Sequence, residues 1–158
     1  MILKARSPSC FSNRYVLKVD GRPLGEFRGR WMSERVEVHL RGQRRLCLEK
    51  QSWLGSRFTL TDAAGNVLAE ANRSGVFTRA WDLSLSSGPA RLVSAGMFNT
   101  GFLVEQDNLT LAEVNRIGLC EGGWFVKGDE TYNEADLLFI GLIYHTILRR
   151  QASQQSSS

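Results

Sequence analysis

Three segments of this chain repeat one pattern. Residues 15–28 read YVLKVDGRPLGEFR, residues 58–73 read FTLTDAAGNVLAEANR, and residues 102–116 read FLVEQDNLTLAEVNR. Each opens on an aromatic residue and an alternating run, passes a polar or glycine-containing turn, and leaves through Leu-(Ala/Gly)-Glu. The shared glutamates Glu26, Glu70 and Glu113 stand 44 and 43 residues apart. A fixed period of that size marks a repeated supersecondary unit. The unit here alternates with period two, so it predicts paired strands.

Two further strand-turn-strand segments lie between the copies. Residues 34–50 alternate through Val36, Val38 and Leu40, turn at Arg41-Gly42-Gln43, and return through Leu46 and Leu48. Residues 80–97 alternate through Trp81, Leu83 and Leu85, turn at Ser87-Gly88-Pro89, and return through Leu92. Asp20-Gly21 and Gly65-Asn66 supply residues that tolerate positive φ in tight turns. A sixth pair is read at 119–126 and 130–132, with Gly122-Gly123 as a bend. Six hairpins make about twelve antiparallel strands, and closing them into a barrel removes exposed edges.

The period then changes. Residues 134–150, EADLLFIGLIYHTILRR, are apolar on nearly every face from Leu137 to Leu148. A helix without a polar face belongs in a core or a membrane. The twelve residues of this stretch rise only ~18 Å, short of the ~30 Å hydrocarbon core. The helix is therefore expected to fill the barrel, with no transmembrane anchor. Thr131, Asn133, Glu134 and Asp136 suit its start, and Arg149 and Arg150 its end.

The 158 residues fit one domain, placed at 11–150. Residues 1–10 form an N-terminal segment, and MILKARSPSC reads as no secretory leader. The polar QASQQSSS at 151–158 is expected to be disordered. Cys10, Cys47 and Cys120 are odd in number and far apart, which argues for reduced thiols in the cytoplasm rather than a disulfide framework.

The strand pairs, with Phe58-Thr59-Leu60-Thr61-Asp62, Gly65-Asn66-Val67-Leu68 and Gly128-Asp129-Glu130-Thr131-Tyr132 leading into Leu137–Leu148, resemble the tubby C-terminal-like superfamily. That superfamily includes LURP-one-related proteins and phospholipid scramblases. The resemblance covers roughly residues 11–150. It implies a twelve-stranded barrel around a central hydrophobic helix. It also implies a cytoplasmic, lipid-engaging module, because tubby domains bind phosphoinositides through Lys and Arg.

Charge bears on the same question. Residues 1–50 hold 12 Lys and Arg against 5 Asp and Glu, while the remainder is net acidic. Arg28, Arg30, Arg35, Arg41, Arg44 and Arg45 could form a surface for anionic lipid headgroups, placing the chain at the membrane periphery. The plainer reading is solvated strand faces and protected edges. Nucleic acid is disfavoured, because the cations lack interleaved aromatic platforms.

The acidic run at the helix start offers a calcium alternative at Asp129, Glu130 and Asp136. An EF-hand loop counted from Asp129 needs Gly at position 6 and Glu at position 12 and finds Glu134 and Ile140, so that motif fails. Carboxylates dressing a helix N-terminus explain the run more simply. His39 is expected to face outward and His145 to be a neutral core residue; neither has a local partner set for a metal or a nucleophile. The tryptophans Trp31, Trp53, Trp81 and Trp124 are read as caps on the core. The recurring glutamates are read as strand-pairing residues, since one position repeated in every unit does one structural job. No cofactor and no catalytic set is expected. A non-enzymatic module binding an anionic lipid or membrane surface is the leading reading, and a small-ligand carrier or enzyme with a pocket at the barrel mouth is the alternative.

Overall fold

A computed structural model of the chain describes residues 1–9, 12–29, 34–51, 57–73, 80–96, 101–118 and 122–156. Twelve strands run in order: β1 (Ile2–Arg6), β2 (Arg14–Val19), β3 (Arg22–Arg28), β4 (Val36–Leu40), β5 (Arg44–Lys50), β6 (Arg57–Asp62), β7 (Val67–Arg73), β8 (Trp81–Leu85), β9 (Gly88–Ser94), β10 (Phe102–Gln106), β11 (Leu109–Arg116) and β12 (Gly123–Gly128). One helix, α1 (Glu134–Ser156), follows. Each strand pairs antiparallel with its sequence neighbours, and β12 pairs with β1 to close the barrel.

Five of the hairpins stand where the sequence places them. The sixth pairing differs. β12 turns back not onto residues 130–132 but onto β1, with Leu3 opposite Val126 and Ala5 opposite Trp124. The N-terminal segment thus supplies a wall strand, and Tyr132 is a buried residue of the turn into α1.

The repeat has a structural cause. All three copies carry a β-bulge at the same place: between Leu17 and Lys18, between Leu60 and Thr61, and between Val104 and Glu105. The partner strand holds the extra residue, which is Leu24, Leu68 or Leu111. These are the leucines of Leu-(Ala/Gly)-Glu, and each packs, half-buried, against the core. A bulge bends a strand and increases its twist, so the repeated motif is a curvature device built into each third of the wall.

The glutamates next to it face outward. Glu26 pairs with Arg14 at 2.7 Å and Glu70 with Arg57 at 2.9 Å. The third copy has Gly101 where the first two have arginine, and Glu113 stands opposite Lys127 instead.

Inward positions of the wall meet α1, whose residues Leu137–Tyr144, Gly141 aside, are at most 1% exposed. Burying eight large apolar residues that no single face of an isolated helix could hide is what places it on the barrel axis. The Trp124 ring lies against the helix at Gly141: a Cβ there would meet three atoms of its ring. Both Trp81 and Trp124 are buried in the core, while Trp31 and Trp53 lie outside the described residues. Among the described residues no helix is long and apolar enough to cross a membrane.

The helix start is locked by a capping box. Asn133 Oδ1 accepts from the Asp136 N–H at 2.8 Å, and Asp136 Oδ2 accepts from the Asn133 N–H at 3.4 Å. The same carboxylate accepts from the Ser86 N–H at 3.0 Å and the Ser86 hydroxyl at 2.6 Å, tying the helix to the β8–β9 turn. Tyr132 donates to Gln106, whose amide donates to the Ser87 carbonyl. At the other end α1 continues past Arg150 to Ser156, so residues 151–156 are helical, with 151–154 exposed, where the sequence suggests disorder.

Candidate functional site at the barrel mouth

The meander sorts the charged side chains between two ends. The short turns, including Asp20-Gly21, Arg41–Gln43 and Asp107-Asn108, lie at the end where α1 begins. The ends of β3, β5 and β7 lie at the end where α1 emerges. The six arginines singled out from the sequence are therefore divided. Arg41, Arg44 and Arg45 are exposed at the turn end, and Arg28 and Arg35 are exposed towards the mouth. Arg30 lies outside the described residues. Arg28 and Arg35 border a shallow depression of about 230 Å³ on the outer wall, shared with Glu26, Glu37 and His39. Arg35 is engaged there by Glu37 at 3.4 Å and Glu49 at 3.5 Å.

A larger cleft, about 1160 Å³, follows the emerging helix. Arg35, Lys50, Arg73, Arg149 and Arg150 contribute to its lining. Glu34 and Glu49 are the acidic residues there, which leaves three net positive charges among the described residues. Lys50 and Arg73 end β5 and β7, so antiparallel register delivers them to one rim although 23 residues separate them in sequence. The helix supplies Arg149 and Arg150, and Arg35 comes from the segment before β4.

Arg150 holds the emerging helix to the wall. Its guanidinium donates to both oxygens of Glu34, at 2.7 and 3.0 Å, and lies over the rings of Phe58 and Trp81, at 5.2 and 5.9 Å from their centroids. Glu34 also meets Lys50 at 3.4 Å. The hydrogen bond from Arg150 is the main reason the Glu34 carboxyl is held below the usual carboxylate range.

His145 lies at the inner end of the cleft. Its ring packs edge-on against Tyr15 and Phe27, at 5.0 and 5.3 Å between centroids. Burial pushes its pKa down to about 3, and the nearby Arg149 adds to the shift. The imidazole is thus neutral at pH 7. Its Nε2 is buried and has no hydrogen-bond partner among the described residues. Burial also raises the Tyr15 hydroxyl above its ordinary value, with Arg149 opposing.

The remaining sequence candidates fall elsewhere. Asp129 accepts from the Thr131 N–H and hydroxyl, and Asp136 is spent on the helix cap. Asp129, Glu130 and Asp136 form no joint ligand set: among the described residues no group of three or more His, Cys, Asp or Glu is placed to hold a metal ion. His39 faces outward. Cys47, half-buried on the outer face, has its thiol pushed up by burial, away from a reactive thiolate. Cys10 and Cys120 lie outside the described residues.

No protein-family model matches this chain, and no curated protein does either. The chain is similar in fold to the X-ray structure of a protein from Arabidopsis thaliana, at a TM-score of 0.60 and 10% sequence identity, over 92% of this chain and 91% of the other. At that identity the likeness carries the barrel-and-helix architecture alone.

Proposed function

We propose that the chain is a non-enzymatic binding module that uses the basic barrel mouth to engage an anionic lipid headgroup at a membrane surface. One observation carries the reading: Lys50, Arg73 and Arg149, from β5, β7 and α1, meet Arg35, from the segment before β4, around a cleft with a net positive charge. Clustered cations raise the local concentration of anions and attract an anionic leaflet by about 1 kcal/mol per Lys or Arg near the surface. Such a module works at the cytoplasmic face of a membrane, as the tubby-like resemblance of the sequence suggests. The neutral, buried His145, with Nε2 unbonded among the described residues, fits binding better than catalysis, because nothing bonded to it there awaits activation.

Sedimentation with phosphatidylserine vesicles tests the reading. Arg35→Glu/Arg73→Glu should weaken binding by about thirtyfold or more, from the loss of two such attractions. Arg41→Glu/Arg44→Glu/Arg45→Glu, at the opposite end, should bind like the wild type. Equal sedimentation of wild type and the mouth variant, or binding insensitive to salt, sinks the proposal. The volume of the cleft favours a second reading, a carrier or enzyme for a small anionic molecule. Native mass spectrometry showing a bound small molecule, with no vesicle binding, would select it.

A further inference from the structure

The end of the barrel where α1 begins carries charge of both signs, and the closed meander holds the signs apart. Exposed Arg41 and Arg44 stand in and beside the β4–β5 turn, and exposed Asp107 stands in the β10–β11 turn. Four strands separate these two hairpins whichever way the ring is counted, so they lie diametrically opposite. The β2–β3 turn, with exposed Arg22, adjoins the basic hairpin, and the β12–α1 turn, with exposed Asp129 and Glu130, adjoins the acidic one. Asp107 and Asp129 act on one point: burial and the carboxylates of Asp136, Asp129 and Asp107 push the Tyr132 hydroxyl up to about 12. The ion pairs of the described residues, from Arg14–Glu26 to Arg150–Glu34, lie along the wall or at the mouth, and none joins these turn-end charges. A ring of twelve strands about 4.8 Å apart is roughly 18 Å across or wider, beyond the screening length of about 10 Å at 0.1 M salt. The opposed hairpins therefore cannot satisfy each other within one copy. Asp20 and Asp62, the carboxylates on the basic side, accept from the N–H groups of Ile2, Ala64 and Asn66. Leu109, beside Asp107, is 61% exposed, the most exposed large apolar side chain among the described residues.

We infer that this end is a self-complementary docking face for a second copy of the chain. A twofold axis lying across the face, perpendicular to the line joining the β4–β5 and β10–β11 hairpins, sets the basic hairpin of each copy on the acidic hairpin of the other. The same rotation sets each β2–β3 turn on the other copy's β12–α1 turn, because the order of hairpins round the ring matches. Arg41 and Arg44 then meet Asp107, and Arg22 meets Asp129 and Glu130. A surface that pairs with itself through such an axis closes at two copies. Leu109 lies against the aliphatic stems of Arg41 and Arg44, which cover apolar surface while their heads stay charged. The same pattern of signs rejects the docking in which like hairpins face each other. Both mouths point away from the pair, so docking neither uses nor blocks the cleft and stands apart from the anion-binding reading.

Sedimentation equilibrium of the full chain reads the pairing. The wild type should be dimeric at low salt and should dissociate as salt rises, because exposed charges are screened. Arg41→Glu/Arg44→Glu and Asp107→Lys/Glu130→Lys each give the two opposed hairpins one sign. Each variant alone should be monomeric, with association weakened about a hundredfold or more by like charges brought face to face. Mixed in equal amounts, the two variants should form a heterodimer, since each hairpin then meets its opposite. Circular dichroism of each variant alone should match the wild type. Leu109→Lys, at an exposed strand end, adds a cation to the acidic hairpin without altering the turn, and it should weaken pairing as well. Recovery of the dimer on mixing is a result that damaged folding cannot imitate. A wild type that stays monomeric up to millimolar concentration overturns the inference. So does a dimer that is indifferent to salt or survives both charge reversals, and so do folded variants that remain monomers when mixed.

Discussion

Replacing Gly141 by alanine sets two opposed effects against each other at a point where the helix backbone meets a tryptophan ring. Alanine in a helix interior is favoured over glycine by about 1 kcal/mol. Here the new methyl would lie 2.7 Å from Cε3 of Trp124 and nearer still to Cζ3 and Cη2. Trp124 is 1% exposed, and Phe27 packs beside it with centroids 6.2 Å apart, so the ring has little room to withdraw. Overpacking a core costs about 1–3 kcal/mol and occasionally more, and three simultaneous ring contacts place this case at the upper end. The net effect should be a loss of about 1–2 kcal/mol, or roughly 2–8 °C in melting temperature for a domain of this size. Urea denaturation should show a lower midpoint with an unchanged slope. In a Trp124→Phe background the smaller ring leaves space, and Gly141→Ala should become neutral or stabilising. The pair should therefore couple by about 1 kcal/mol or more. A single Gly141→Ala variant as stable as the wild type would refute the close helix–ring contact.

The depressed pKa of His145 predicts an acid-sensitive fold. The unfolded chain binds a proton as pH falls through about 6.5, whereas the folded imidazole, flanked by Arg149 and Tyr15, does so only near about 3. Stability that is complete above pH 6.5 is thus lost across that window, by up to about 1.4 kcal/mol per pH unit. His145→Gln should flatten the slope of urea midpoint against pH, and an unchanged slope would assign the sensitivity elsewhere. Asp136→Ala removes the acceptor for Ser86 and Asn133 from a site 1% exposed. It should cost about 2–4 kcal/mol in thermal unfolding; a loss below about 0.5 kcal/mol would show that the lock carries no load.

The wall and its filling were legible because both signals are local. Alternation in 34–50 and 80–97 reports inward and outward faces directly, and Leu137–Leu148 has no polar face to offer water. β1 was hidden because only Leu3 and Ala5 turn inward, too few to declare a period, and its partner β12 is far along the chain. The bulges were hidden because Leu24, Leu68 and Leu111 read as breaks in alternation when they are its third repeated element. The six arginines looked like one basic half because they are close in sequence, yet a strand of five to seven residues carries Arg41, Arg44 and Arg45 to the opposite end from Arg28 and Arg35. Lys50, Arg73 and Arg149 meet only through register and the helix axis.

The order of elements along the chain has a consequence for how the protein is made. Wall strands leave the ribosome first, and the segment that fills them leaves last. At about 5–20 residues per second, the first strand waits roughly 7–30 s for both β12 and α1. During that interval β1 and the newest strand are unpaired edges and the inward leucines have no helix to cover them. Pairings between distant segments also form slowly. The nascent chain is thus a sheet with a greasy face and two open sides, the form in which strands join their neighbours on other chains. Arginine and lysine on the outward faces of β2 to β5, the first part of the wall to appear, give that exposed sheet a positive charge that keeps copies apart until the last segment arrives.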